Sequence, residues 1–158
     1  MGYAEVEIRK DTVLKVYPES YRDKWEKEVL AYQTLSFAAP KLVGYGEGWL
    51  GTEKLTPILD LPKNQSIKYR DDLRKLIIAI HNKGYWHGDI ALCNVVIHPT
   101  RGVLLIDWEN LMERNGCVSY DLYGSGAAGV DQAWEVEGND GVSWNRPWDI
   151  CPGKFWKK

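Results

Sequence analysis

The sequence predicts an α+β domain from three observations: strands of period two near the N-terminus, a helical stripe set between them, and a second helix running into an apolar hairpin. Ala4 to Arg9 (AEVEIR) alternates like a half-exposed strand, and Lys10 and Asp11 supply a turn. The β-branched run Thr12 to Tyr17 (TVLKVY) then makes the second arm of a hairpin. Lys15 lies inside that arm, where a lysine by itself marks a solvated or edge position. After Pro18, Ser20 to Ser36 predicts a helix with Ser20 as N-cap and with Trp25, Val29 and Tyr32 on one face. Glu28 faces near that stripe. Ala38 to Tyr45 and Gly48 to Leu55 predict two further strands around a turn containing Gly46, which completes a small antiparallel sheet.

Thr56 to Ser66 carries two prolines and several turn residues, and reads as an irregular connection. From Arg70 to Lys83, Leu73, Leu76, Ile77 and Ile80 share one helical face, and Gly84 follows as the stop. His81, near the end of that helix, reads as structural. The helix delivers the chain into Tyr85–Asn110, YWHGDIALCNVVIHPTRGVLLIDWEN. Here an acidic loop (His87, Gly88, Asp89, then Asn94) precedes the strand Val95–Ile97, a turn at Pro99–Gly102, and the strand Val103–Ile106 ending on Asp107. A hairpin carries Asp89, Asn94 and Asp107 back to one end of the same small sheet. Three such oxygen donors suit Mg²⁺, a hard cation that leaves positions for phosphate.

The pattern H-G-D-I-A-L-C-N followed by D-W-E resembles the catalytic and metal loops of the protein-kinase-like superfamily, especially its aminoglycoside-phosphotransferase and atypical-kinase branches. The kinase signatures read H-R-D-L-x-x-x-N and D-F-G; this chain has Gly88 for the Arg and Glu109 for the Gly. The resemblance implies that Asp89 orients or deprotonates an acceptor hydroxyl and that Asn94 and Asp107 hold Mg²⁺ on ATP. VLKVYP resembles the strand whose lysine binds the α- and β-phosphates, so Lys15 becomes the phosphate lysine. EVLAYQTL resembles the family's helix, which makes Glu28 the ion-pair partner of Lys15, although Glu26 or Glu28 could serve. It further implies adenine contacts from the Glu53 carbonyl and the Leu55 amide, and a bracing role for His87. YDLY makes Asp121 either a carboxylate supporting the catalytic-loop backbone or a plain N-cap.

So read, residues 1–158 form one minimal kinase-like domain, with a small antiparallel-sheet lobe and one helix (1–55) and a reduced, mainly helical C-terminal lobe (56–158). The expected function is transfer of the γ-phosphoryl of MgATP to a hydroxyl, on a small molecule rather than a protein because Ala91 replaces the lysine usual in protein Ser/Thr kinases. The alternative is a non-catalytic pseudokinase that binds a nucleotide or a protein. Only fourteen residues precede Lys15, leaving no room for the family's first strand and most of its Gly-rich loop. Gly2 and Ala4 would be its remnant, and a second copy or a protein partner would complete the phosphate cover. Glu109 is expected to add a carboxylate near the metal and to remove a hinge.

Composition narrows the setting. Charged residues are 27% and the formal net charge is -2, with no long basic or acidic run, so no electrostatic footprint for nucleic acid or membrane is visible. A chain of this length can bury about 70% of its unfolded surface and needs no staples. No signal-peptide core or bilayer-length apolar run is present, and Cys93, Cys117 and Cys151 contain no Cys-x-x-Cys pair. An intracellular protein with reduced thiols is expected, with Cys93 used in packing. The indoles of Trp134, Trp144, Trp148 and Trp156 are expected to cover the core.

Overall fold

The structure is a computed structural model that describes residues 3–113; Gly2, Cys117, Asp121, Cys151 and the tryptophan-rich tail lie outside the described residues. The first sheet has the order β1-β2-β4-β3, from β1 (Glu5–Ile8), β2 (Thr12–Val16), β3 (Leu42–Gly46) and β4 (Trp49–Glu53), all antiparallel. Its register sets which side chains share a face. Val6 pairs with Lys15 and Ile8 with Val13, while Val13 faces Thr52 on the other side of β2. Because side chains alternate, these residues point together to one side of the sheet.

Between β2 and β3 runs α1 (Arg22–Thr34). Ser20 does not cap it: the residue lies in a 3₁₀ turn, Glu19–Tyr21, and Tyr21 precedes the helix without a side-chain cap. The strand expected from Ala38 begins only at Leu42, because Ser36–Ala38 form a 3₁₀ turn and Ala38, Ala39 and Pro40 are buried under the helix end. The turn after β3 falls at Glu47 and Gly48, and Gly48, at φ 81°, takes the left-handed position.

The connection read as irregular contains structure. β5 (Thr56–Pro57) pairs with the later hairpin, and 3₁₀ turns flank a single-turn helix, α2 (Lys63–Ser66). Then α3 (Arg70–Asn82) buries Leu73, Ile77, Ile80 and His81, with Leu76 partly covered, and Gly84 at φ 92° stops it. β6 (Tyr85–Trp86) leads into the acidic loop, and β7 (Val95–His98) and β8 (Gly102–Leu105) form the hairpin. β9 (Met112–Glu113) returns to pair with β6. That last pairing sets the loops before and after the hairpin side by side.

One apolar core runs from α1 (Val29, Tyr32) through Leu50 and Ile58 to α3 and the hairpin (Val95, Leu105), with Trp108 fully buried. Behind it, the Arg101 guanidinium donates to the Ser36 carbonyl at 2.6 Å and lies 4.0 Å from Glu53, fastening the hairpin turn to the first sheet. Among the described residues no helix is long and apolar enough to cross a membrane.

Candidate functional site

The sheet register and the hairpin converge on a cavity of about 410 Å³ between them. Val6, Ile8 and Val13 line it from the sheet, Val96 and Ile106 from the hairpin, and Glu53 and Leu55 from the segment joining the two. Lys15 and Asp107 also line it. Its size and mostly apolar lining suit a small aromatic ligand. Val6 and Ile8 are largely exposed, an apolar surface that such a ligand would cover.

Lys15 is 6% exposed and Glu28 is fully buried. The Lys15 ammonium donates to Glu28 Oε1 and, at 2.9 Å, to Asp107 Oδ1. Of the two carboxylates the sequence offered, Glu28 lies three residues after Trp25 and four before Tyr32, on the inward face, whereas Glu26 is exposed. Burial pulls the Lys15 pKa down, but the charges of Glu28 and Asp107 and their hydrogen bonds outweigh it and hold it above the usual lysine value. The lysine is therefore a fixed cation throughout the neutral range.

Glu28 has more partners than the lysine. Its Oε1 accepts from the Tyr17 hydroxyl at 2.5 Å and its Oε2 from the Trp108 backbone N–H at 3.1 Å. Burial first, and then the Glu28 and Glu109 carboxylates, push the Tyr17 pKa far up, and burial raises that of Tyr32 as well. For Lys15, Tyr17 and Tyr32 alike the folded-state pKa lies above that of the unfolded chain, so the native state retains protons that the unfolded state loses. Their contribution is complete below the unfolded values, about 10, and is lost as pH rises from there through the folded values. The contribution of these three groups should hold constant from neutral pH to about 9 and then fall, by up to about 1.4 kcal/mol per pH unit for each group. Urea melts in this alkaline range should show a shallower fall for Tyr17→Phe; an unchanged slope would show that the phenol is not held protonated.

The acidic loop is built on His87. Its Nε2 lies 2.8 Å from the Ile106 carbonyl and its Nδ1 3.1 Å from the Asp89 N–H. A carbonyl only accepts and an amide only donates, so Nε2 carries the proton and Nδ1 does not. The ring also meets Trp108 edge-on at 4.6 Å. With both nitrogens engaged by backbone, His87 braces the loop. Gly88 has φ 88°, and a Cβ there would stand 2.5 Å from the Asn110 carbonyl oxygen. The arginine of the kinase signature therefore has no room in this loop, which explains the glycine.

Asn94 is buried, and its Nδ2 donates to the Asp89 carbonyl at 2.8 Å and to Asp89 Oδ2 at 3.0 Å. Those two acceptors orient the amide and leave Oδ1 as its acceptor end. The Asn94 carbonyl accepts from the Ile106 N–H at 2.9 Å, extending the hairpin ladder by one step and setting Asn94 beside the residue before Asp107. Asp89 itself is half-buried. Cys93, expected to pack, is exposed instead, because the 3₁₀ turn Leu92–Asn94 turns its two neighbours inward.

Among the described residues no group of three or more His, Cys, Asp or Glu side chains could hold a metal ion. The Asn94 amide oxygen and the partly exposed Asp107 carboxylate are oxygen donors of the kind magnesium takes, an ion commonly held by one or two side chains with phosphates and water completing its shell. Glu109 follows Trp108 in the same loop. It is 1% exposed, and its Oε2 accepts from the Tyr17 hydroxyl at 2.9 Å and, weakly, from the Tyr3 N–H at 3.4 Å. It is thus part of the buried network under the loop. Tyr17 was not singled out by sequence reasoning; its position two residues after Lys15, on the same strand face, was the available signal. Asp121 lies outside the described residues.

No protein-family model matches the chain. The O-antigen chain terminator bifunctional methyltransferase/kinase WbdD of Escherichia coli is 30% identical over 108 residues, covering 60% of this chain and 15% of that protein. A solved structure of the bifunctional kinase-methyltransferase WbdD superposes with a TM-score of 0.66 at 16% identity, covering 99% of this chain and 45% of that one. A second WbdD structure gives 0.64 at 18%, covering 99% and 46%. This chain thus spans a small part of the curated relative and under half of the solved chains. The likeness is to WbdD and does not single out the aminoglycoside branch. What the chain shares with these structures is a kinase-like fold, whose small antiparallel sheet and α1 carry the Lys15–Glu28 pair.

Proposed function

We propose that this domain is an ATP-dependent phosphotransferase that moves the γ-phosphoryl of MgATP to a hydroxyl group, in the manner of small-molecule kinases such as the aminoglycoside phosphotransferases. The observation that carries the reading is the meeting of Lys15, Glu28 and Asp107 at an apolar cavity lined by the Glu53–Leu55 segment. In this reading the adenine lies between Val6, Ile8 and Val13 on one side and Val96 and Ile106 on the other, with the Glu53 carbonyl and Leu55 amide at its edge.

Lys15, held by Glu28, neutralises charge on the phosphates. Asn94 Oδ1 and the Asp107 carboxylate are the oxygens that would hold magnesium, which when bound offsets phosphate charge and aligns the transferred group. Asp89, steadied by Asn94, orients the acceptor hydroxyl and takes its proton as the new O–P bond forms and ADP departs. WbdD is by name an O-antigen chain terminator, so O-antigen chains belong beside small alcohols in an acceptor screen.

The test is calorimetric titration with ATP, with and without Mg²⁺, for the wild type and Asp107→Asn. The expected result is magnesium-dependent binding that the substitution weakens at least tenfold, the loss of about one charge-assisted contact. Binding that ignores both magnesium and the substitution would point to the competing module, one that holds a nucleotide and transfers nothing. No binding at all would move the reading to a pseudokinase or to a site completed by a partner.

A further inference from the structure

Three consecutive residues of the metal loop are each fastened to β2, to α1 or to Tyr17, the residue that follows β2. Asp107 accepts from Lys15, the Trp108 N–H donates to Glu28, and Glu109 accepts from the Tyr17 hydroxyl. The third contact needs a carboxylate where the kinase signature has glycine. It also needs a phenol two residues beyond the lysine, and here that phenol is 3% exposed. The phenol has one proton and two carboxylate oxygens in reach, Glu28 Oε1 at 2.5 Å and Glu109 Oε2 at 2.9 Å, so Tyr17 ties the two together. Asp107 has φ 60°, a left-handed conformation costly for a residue with a side chain and sustained only when its surroundings over-determine it.

We infer that Tyr17 and Glu109 form a positioning bridge that locks the loop from Asp107 to Asn110 onto the Lys15–Glu28 pair and keeps Asp107 at the cavity. The bridge rests on the phosphotransferase reading only for its consequence, magnesium binding by Asp107. Neither residue touches the nucleotide; both act through Asp107. A loop fastened at three successive residues is held in its binding geometry before any ligand arrives, which spares the ligand the cost of ordering it.

Hydrogen exchange followed without nucleotide, on the wild type, Tyr17→Phe and Glu109→Gln, tests the lock directly. The amides of Trp108, Glu109 and Asn110 should exchange about tenfold faster in Tyr17→Phe, the scale of one lost hydrogen bond to a charged group, while those of β7 and β8 stay unchanged. Glu109→Gln, which still accepts from the phenol, should lie between. The double variant should be no worse than Tyr17→Phe alone, since both substitutions act on one link. In calorimetry, Tyr17→Phe should lose about tenfold of the magnesium-dependent gain in ATP affinity, with magnesium-free affinity kept within twofold, a split that a general loss of structure would not produce. Unchanged loop exchange in Tyr17→Phe overturns the bridge whatever the nucleotide does. Faster loop exchange in a protein whose wild type never binds MgATP keeps the bridge and overturns the phosphotransferase reading.

Discussion

Asp89→Asn should lower turnover about 10²-fold or more, the usual cost of removing a positioned general base, while leaving ATP affinity unchanged. The amide is close in shape to the carboxylate, and its oxygen can still accept from Asn94 Nδ2, now at 3.0 Å. The loop is also held by backbone contacts that the substitution does not touch, from Asp89 N–H to His87 and from the Asp89 carbonyl to Asn94. What changes is the capacity to accept a proton from the acceptor hydroxyl. Single-turnover phosphoryl transfer, measured beside an ATP titration, separates the two effects. An unchanged rate would remove Asp89 from the chemistry; a matching loss in ATP affinity would make it a structural residue.

Lys15→Met should destabilise the fold by about 3 kcal/mol or more, because it leaves a buried carboxylate without its cation. Glu28 is fully buried, and although the Tyr17 hydroxyl and the Trp108 N–H still donate to it, neither carries a charge. The companion variant Lys15→Met with Glu28→Gln should recover part of the loss, since the stranded charge is then gone, and this departure from additivity is the signature of the pair. Urea unfolding at neutral pH measures all three proteins. A loss under about 1 kcal/mol from Lys15→Met would mean that water or another group compensates Glu28, against the burial seen here.

The sequence by itself determined where the longer strands and helices lie and which polar side chains the loop carries. The alternation of residues 4–17 and the apolar spacing at Leu73, Ile77 and Ile80 are local signals, set by the periods of strand and helix, and the structure has β1, β2 and α3 there. The spacing of His87, Asp89, Asn94 and Asp107 around an apolar hairpin is also local, because a hairpin returns its ends to one place.

Tertiary structure alone decided the rest. Burial of Lys15 against Glu28, with Glu26 left exposed, depends on how α1 lies on the sheet, and helical spacing narrows that choice without making it. The late start of β3 came from packing of Ala38, Ala39 and Pro40, which overrode their extended pattern. β5 could be found only through its partner β7, because two residues carry no periodicity. The role of Glu109 was hidden for the same reason. Its partner Tyr17 lies 92 residues away in the chain, and only the folded protein brings a phenol proton to a buried carboxylate that would otherwise be too costly to keep.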